Sequence, residues 1–540
     1  MAKRRTISYA VSQKPKALAS AQDFKEAIRD SLALLQRGEN DAASEKLRSI
    51  IAAVPRHAEA LQLMGSIALL GGKPGEAVDW LERALAVDPR HAIACSNLGL
   101  ALRRLQRNDE ALAQFEKAAA LNPGYAEAHS NSGVVLNELG RFSEALAAYD
   151  RAIAINPNYA QAHCNRGVAL NNLNRQAEAI AGYDRAIALK PDYAAAHWNR
   201  CLVHLAIGNF KHAWDEYAWR WKNREITQNN KGQRPFWYGT RQRRGKHDLP
   251  HGVPCAFNAP FWDGSPNKGS LLVWPEQGVG EQLLYSSMLN EARARVGKLT
   301  LILQQKLHPL FQRSFPKCRI VTFETAIAEN NFDWQIPLGD LGRFFLDTAE
   351  DRLSQRKAYI KADRSRTAAI RREIAPGKQR IVGLSWYSRN AEYGAQKTVS
   401  LDQFAPLLGM PGLRFVDLQY GDTTAARAAI QRKSGVEITR VASVDNWEDI
   451  DGFAALVNAC DLIVTISNTT AHIAGALGKP VILMLPQSQG RFWYWQTARD
   501  DSIFYPDVHI LRQHSHGNWS AVIEQACTAA ATLKLKSGKS

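Results

Sequence analysis

The sequence predicts an α + α/β protein: an all-α superhelix of stacked helical repeats, followed by a pair of Rossmann-like α/β lobes. Three observations carry this. Prolines recur every 34 residues through the first two fifths of the chain, and short apolar strands alternate with helical stretches after residue 257. The chain is 540 residues long with 45% apolar residues, too long for one core. The predicted boundaries are a disordered basic tail at 1–20, the helical repeats at 21–222, a linker or loop at 223–256, and lobes at 257–370 and 371–540.

The first residues, MAKRRTISYAVSQKPKALAS, are basic but have no apolar block after them, so they read as a tail and not as a secretory signal. No run approaches the roughly 18 apolar residues of a membrane span. The seven cysteines form no CxxC pair, which argues against zinc and against a disulfide framework and suits a reducing cytoplasm. Cytoplasmic localisation is therefore expected.

The formal charge of +16 is uneven: residues 226–260 carry six Lys/Arg against one acid, and residues 352–380 carry ten against two. Neither segment interleaves aromatic residues as a nucleic-acid module does, so no nucleic-acid partner is expected.

The repeat begins with Pro55, Pro89, Pro123, Pro157 and Pro191. In register run Ala60, Ala94, Ala128, Ala162 and Ala196, with Gly65, Gly99, Gly133 and Gly167 five residues further on. Ala77, Ala111, Ala145, Ala179 and Ala213 form another small column, and Leu81, Phe115, Tyr149, Tyr183 and Tyr217 a large one. Small residues let antiparallel helices approach, the large residue fills the next groove, and proline ends the second helix. This is the tetratricopeptide pattern. With a degenerate first copy at 22–54, about six copies stack into a superhelix with an open concave face.

Asn97, Asn131, Asn165 and Asn199 recur at one height of successive repeats. A carboxamide ladder offers donor and acceptor to the backbone of an extended polypeptide, so these four residues are acceptor-binding candidates. Each would equally serve as a bond to a neighbouring helix. The repeats end at FKHAWDEYAWRWK, residues 210–222, where Trp214, Tyr217 and Trp221 share a helical face and are expected to pack on the domain C-terminal to them.

After residue 257 the strands read as GSLLVWP, KLTLIL, QRIVGLSW, LRFVDLQ, CDLIVTIS and KPVILMLP. Alternation with helices predicts parallel sheets covered on both faces, with a cleft at the strands' carboxyl ends. Two strand-to-helix turns stand out. One is Glu276-Gln277-Gly278-Val279-Gly280-Glu281, where glycines admit a ligand and Glu281 would project into the cleft. The other is Ser467-Asn468-Thr469-Thr470, before a helix of small residues. Its amino end favours a phosphate, though an ordinary Asn or Thr N-cap explains the same residues. EDID at 448–451 precedes a helix, where acids complement the dipole, so no metal site is assigned.

Five stretches in order, FWDGSP with LLVWPEQGVGEQLL, IVGLSWYSRNAEYGAQKTVSL, FVDLQYGD and DLIVTISNTTAHIAGALGKPVILMLP, together with the junction EYAWRWK, resemble bacterial tetratricopeptide-repeat glycosyltransferases. Their catalytic half is related to lipopolysaccharide heptosyltransferases and to O-linked N-acetylglucosamine transferases. The resemblance implies a GT-B fold and inverting transfer from a nucleotide sugar, with no metal and no cofactor beyond that donor substrate. It places Glu281 where relatives carry an aspartate as general base, with His472 as the competing catalytic group. It places Lys397, Asn468, Thr469 and Thr470 with the donor phosphates; Gly278, Gly280, Ser388, Gln419 and Ser467, at strand ends and turns facing the cleft, are the further donor-binding candidates. The acid is one methylene longer than the family's aspartate, and Asn468 stands where an aspartate is common.

The implied activity is sugar transfer to a Ser or Thr hydroxyl of a polypeptide, with flagellin as one acceptor. The alternatives are an inactive tetratricopeptide scaffold, or transfer to a surface polysaccharide. The oligomeric state, sugar and nucleotide are not legible.

Overall fold

The computed structural model describes residues 21–223, 246–276, 278–377, 379–390, 394–487, 492–515 and 517–532. The expected tail at 1–20, most of the linker (224–245) and Gln277 lie outside the described residues. The chain divides into two compact units between Leu170 and Asn171.

The first unit is all helix: α1 (Ala21–Gln36), α2 (Asn40–Ala53), α3 (Ala58–Leu70), α4 (Pro74–Val87), α5 (Ala92–Arg104), α6 (Asn108–Leu121), α7 (Ala126–Glu138), α8 (Phe142–Ile155) and most of α9 (Ala160–Asn172). The residues explain the elements. Pro55 and Pro89 each follow the C-cap of a second helix, α2 and α4. His57 and His91 cap α3 and α5 by accepting from the N–H of Ala60 and Ala94. A Cβ on Gly65, Gly99 or Gly133 would stand 2.5, 2.8 or 2.7 Å from Leu81, Phe115 or Tyr149. The glycine column is thus the partner of the large column, and the 34-residue spacing follows from it. This part is an all-helical tetratricopeptide superhelix.

The second unit opens with α10 (Gln176–Leu189), α11 (Ala194–Ala206) and α12 (Phe210–Glu216), which runs into the 3-10 turn Tyr217–Lys222. Two wholly parallel sheets come after it. The first has four strands in the order β3-β2-β1-β4: β1 (Ser270–Trp274), β2 (Lys298–Ile302), β3 (Arg319–Val321) and β4 (Trp334–Pro337). The second has six in the order β10-β9-β8-β5-β6-β7: β5 (Arg380–Ser385), β6 (Leu413–Asp417), β7 (Ile438–Thr439), β8 (Leu462–Ile466), β9 (Val481–Leu485) and β10 (Val508–Arg512). β5, β8 and β9 are buried almost throughout, which is why their sequences read as unbroken apolar runs.

The six apolar runs read from the sequence are β1, β2, β5, β6, β8 and β9. The others, β3, β4, β7 and β10, are short or carry charged and polar residues. β5 pairs with β6 on one side and β8 on the other, so the strand order reverses between β5 and β8. A reversal leaves a crevice at the carboxyl ends of those strands.

Candidate functional site

Turns from both sheets close around a cavity of about 420 Å³. From the first sheet come the turn after β1, with Gly278, Gly280 and Glu281, and the segment after β2, with Gln304 and Lys306. From the second come Asn390, Lys397, Leu418, Tyr420, Asn446, Trp447 and the 467–472 turn after β8.

Glu281 sits in the first turn of the helix Val279–Ser286. Tyr494 Oη donates to its Oε1 at 3.5 Å. Burial pushes the carboxyl upward, opposed by its own backbone N–H, by the Lys397 ammonium and by Tyr494. Lys397 is buried, with Nζ 4.8 Å from the centre of the Phe492 ring, and burial pulls its ammonium downward while Glu281 holds it up. Phe492 lies parallel to Tyr494 at 5.3 Å. Glu281, Tyr494, Phe492 and Lys397 therefore form one connected group.

His472 lies in the first turns of the helix Thr469–Ala476, buried between Trp495, at 5.2 Å and 26°, and the edges of Tyr494 and Tyr505. Its Nδ1 is 2.8 Å from Tyr505 Oη. Burial, aided by the charge on Lys397, lowers its pKa to about 3, so the ring is neutral at ordinary pH and a poor base. Trp495 Nε1 donates to Ser467 Oγ at 2.9 Å.

Asn468 is an N-cap. Its Oδ1 accepts from the N–H of Thr470 at 3.0 Å and of Ala471 at 3.4 Å, and its Nδ2 donates to Ser385 Oγ at 2.7 Å. Two of the first-turn donors of this helix end are thus occupied by the chain itself. An anion here would be met by Lys397 and by the hydroxyls of Thr469 and Thr470.

Gly278, Gly280, Glu281, Lys397, Ser467, Asn468, Thr469, Thr470 and His472 are thus brought to one cavity. Gln419 is not among its lining residues. It is wholly buried, and its Oε1 accepts from Ser385 Oγ and from the N–H of Trp386 and Tyr387 at 2.9–3.0 Å. Its job is to tie the end of β6 to the end of β5. Ser388 does not line the cavity either, since its Oγ accepts from the Asn390 N–H at 3.3 Å within its own loop. Asp449 of EDID caps the Gly452 N–H at 2.8 Å, and Asp451 pairs with Arg313 at 2.6 Å.

Sequence reasoning missed the far end of the cavity. Tyr420 and Trp447 meet there with ring centres 5.4 Å apart, and Trp447 is 55% exposed. Lys306 Nζ donates to Trp447 O at 3.0 Å and lies 4.6 Å from its ring. Asn446 is buried and donates to the carbonyls of Asp417 and Gln419 at 3.3 and 3.0 Å, while its Oδ1 has no partner among the described residues.

A larger depression of about 1180 Å³ is lined by β10 and the helix Ser520–Thr532. None of the predicted site residues lines it. Among the described residues no three His, Cys, Asp or Glu side chains are grouped to hold a metal ion, and no helix is long and apolar enough to cross a membrane.

On the superhelix, all four asparagines are part-exposed. Asn97 Nδ2 donates to Ser66 Oγ at 2.9 Å, a bond within the solenoid. A cavity of about 430 Å³ between α6, α7 and α8 is lined by Glu116, His129, Leu136 and Arg151, among others, and by none of the asparagines.

Two family models match the chain: "TPR repeat" at residues 99–140, 133–174 and 169–208, and "Tetratricopeptide repeat" at 31–92. The chain therefore carries tetratricopeptide repeats. Protein FlbA of Caulobacter vibrioides is 31% identical over 290 residues, which is 50% of this chain and 47% of that protein. The chain thus spans about half the length of the curated relative it matches. Among solved structures, MamA is 26% identical over 30% of this chain and 96% of its own, with a TM-score of 0.28. YrrB, described as a TPR protein with an unusual peptide-binding site, is 25% identical over 32% of this chain and 88% of its own, also at 0.28.

Proposed function

We propose that the chain is a glycosyltransferase of GT-B architecture, moving a sugar from a nucleotide sugar to a Ser or Thr hydroxyl of a polypeptide recruited by the superhelix. The observation that carries this reading is the convergence of Glu281, Lys397 and the 467–472 turn on one cavity at the reversal point of the six-stranded sheet.

In this reading the acceptor oxygen attacks the anomeric carbon, whose bond to the diphosphate oxygen breaks with the electron pair leaving on the diphosphate. Glu281 takes the hydroxyl proton. Its raised pKa suits a base better than a solvated carboxylate. Lys397 and the hydroxyls of Thr469 and Thr470 meet the charge that develops on the leaving group, the contribution that usually counts most. Tyr420 and Trp447 offer stacking surfaces for a nucleobase. His472 holds the two helix ends in place.

A second reading, an inactive companion to a peptide-binding scaffold, is favoured by one observation: Asn468 Oδ1 already fills two of the donors a phosphate would use.

The test is intact mass of candidate acceptors, flagellin among them, after incubation with the chain and a panel of nucleotide sugars. The first reading expects a hexose- or amino-sugar-sized increment that disappears with Glu281→Gln. No increment from any donor and acceptor pair leaves the second.

A further inference from the structure

We propose that Tyr217 and Arg220 are positioning residues that splint the turn carrying Glu281, a role that rests on the transferase reading above. Both lie in the 3-10 turn Tyr217–Lys222 that succeeds α12.

Arg220 is fully buried. Its guanidinium lies 4.0 Å from the Tyr217 ring centre and 3.9 Å from that of Trp221. It donates to Glu276 at 3.0–3.2 Å, to Asp340 Oδ1 at 2.8 Å and to the Tyr217 carbonyl at 2.8 Å. Glu276 stands five residues before Glu281 on the same turn. Tyr217 Oη meets Tyr285 Oη at 2.9 Å. Tyr285 is four residues after Glu281, one helical turn along. One short segment thus grips the Glu281 turn on both sides.

The grip is close. A Cβ on Gly339 would stand 2.4 Å from Glu276 Oε1 and 2.9 Å from Tyr217 Oη.

Stability alone gives a weak reason for such a cluster, since apolar residues of similar volume usually replace a buried ion group without loss. What an ion group with a planar fork adds is geometry: each N–H fixes a direction, and a lysine offers no such fork. A base needs that fixing, because misplacement by about 1 Å costs roughly a hundredfold in rate.

The experiment compares wild type with Tyr217→Phe, which deletes one hydroxyl, and Arg220→Lys, which keeps the charge and loses the fork. Hydrogen exchange by mass spectrometry is read over residues 276–286 and over the rest of 171–540, and donor KM and kcat are measured on any acceptor found to be modified. Faster exchange confined to 276–286 is expected, with kcat lowered about tenfold or more and donor KM unchanged. Wild-type exchange over 276–286 in both variants overturns the proposal, as does loosening spread evenly over the unit with kcat and KM altered together. A wild-type chain that transfers no sugar sinks the transferase reading; the exchange pattern then decides separately whether the splint exists.

Discussion

A Cβ on Gly280 would stand 2.8 Å from His472 Cδ2 and 3.2 Å from its Nε2. Two helix amino ends, one from each sheet, meet at this contact. His472 is held by Tyr505, Trp495 and Tyr494 and has no room to retreat. Gly280→Ala is therefore expected to destabilise the chain by about 1–3 kcal/mol, as overpacking does. Chemical denaturation checks it, and Gly278→Ala is the control, because its Cβ meets only the Glu281 carboxylate, at 3.2 Å.

His472 also predicts a pH dependence. Its folded pKa of about 3 lies below the ordinary histidine value, so between the two the unfolded chain binds the proton that the folded chain refuses. Stability therefore falls as pH drops from about 6.5 towards about 3, by up to roughly 4 kcal/mol from this residue alone. In His472→Gln that share of the acid loss disappears. Denaturation midpoints of the two chains across that range measure it; parallel curves contradict it.

In the transferase reading Glu281→Gln lowers kcat by about 10²–10⁴ with donor affinity kept. Lys397→Ala lowers kcat by about 10²–10³ and weakens nucleoside diphosphate binding. Lys397→Ala also removes the cation beside Glu281, so the carboxyl titrates higher and the acid limb of the pH–rate profile moves to higher pH. Transfer rates against pH, with calorimetry for the diphosphate, separate the two roles.

In the superhelix, Gly133→Ala sets two effects against each other. Alanine favours a helix by about 1 kcal/mol over glycine. Its Cβ would stand 2.7 Å from Tyr149 Cε1, and that ring is buried. Overpacking costs about 1–3 kcal/mol, so a net loss of up to about 2 kcal/mol is expected in thermal unfolding.

Much of this was legible because the constraints are local. The 34-residue spacing repeats one glycine-to-aromatic contact, and buried parallel strands advertise themselves as apolar runs. Glu281 and the 467–472 turn were marked by their position after a strand, and Lys397 only by the family resemblance. Other features are tertiary. The strand reversal depends on β5 choosing β8, which no local pattern states. Gln419 looked like a cleft residue because it ends a strand, yet its amide is consumed by the neighbouring loop, and Tyr420 lines the cavity instead. Trp447 meets Lys306 across 141 residues, and Arg220 reaches Asp340 across 120. EYAWRWK showed an aromatic stripe, while its arginine, one of 68 basic residues, gave no sign of being buried.

The most direct test of the central claim is calorimetric titration of the folded chain with uridine, guanosine, adenosine and cytidine diphosphates, repeated on Lys397→Ala. One of them is expected to bind with a Kd on the order of 1–100 μM, and the substitution to weaken it about tenfold or more. Heat from none of the four, or equal affinity in both chains, contradicts a diphosphate seat between Lys397 and the 467–472 turn.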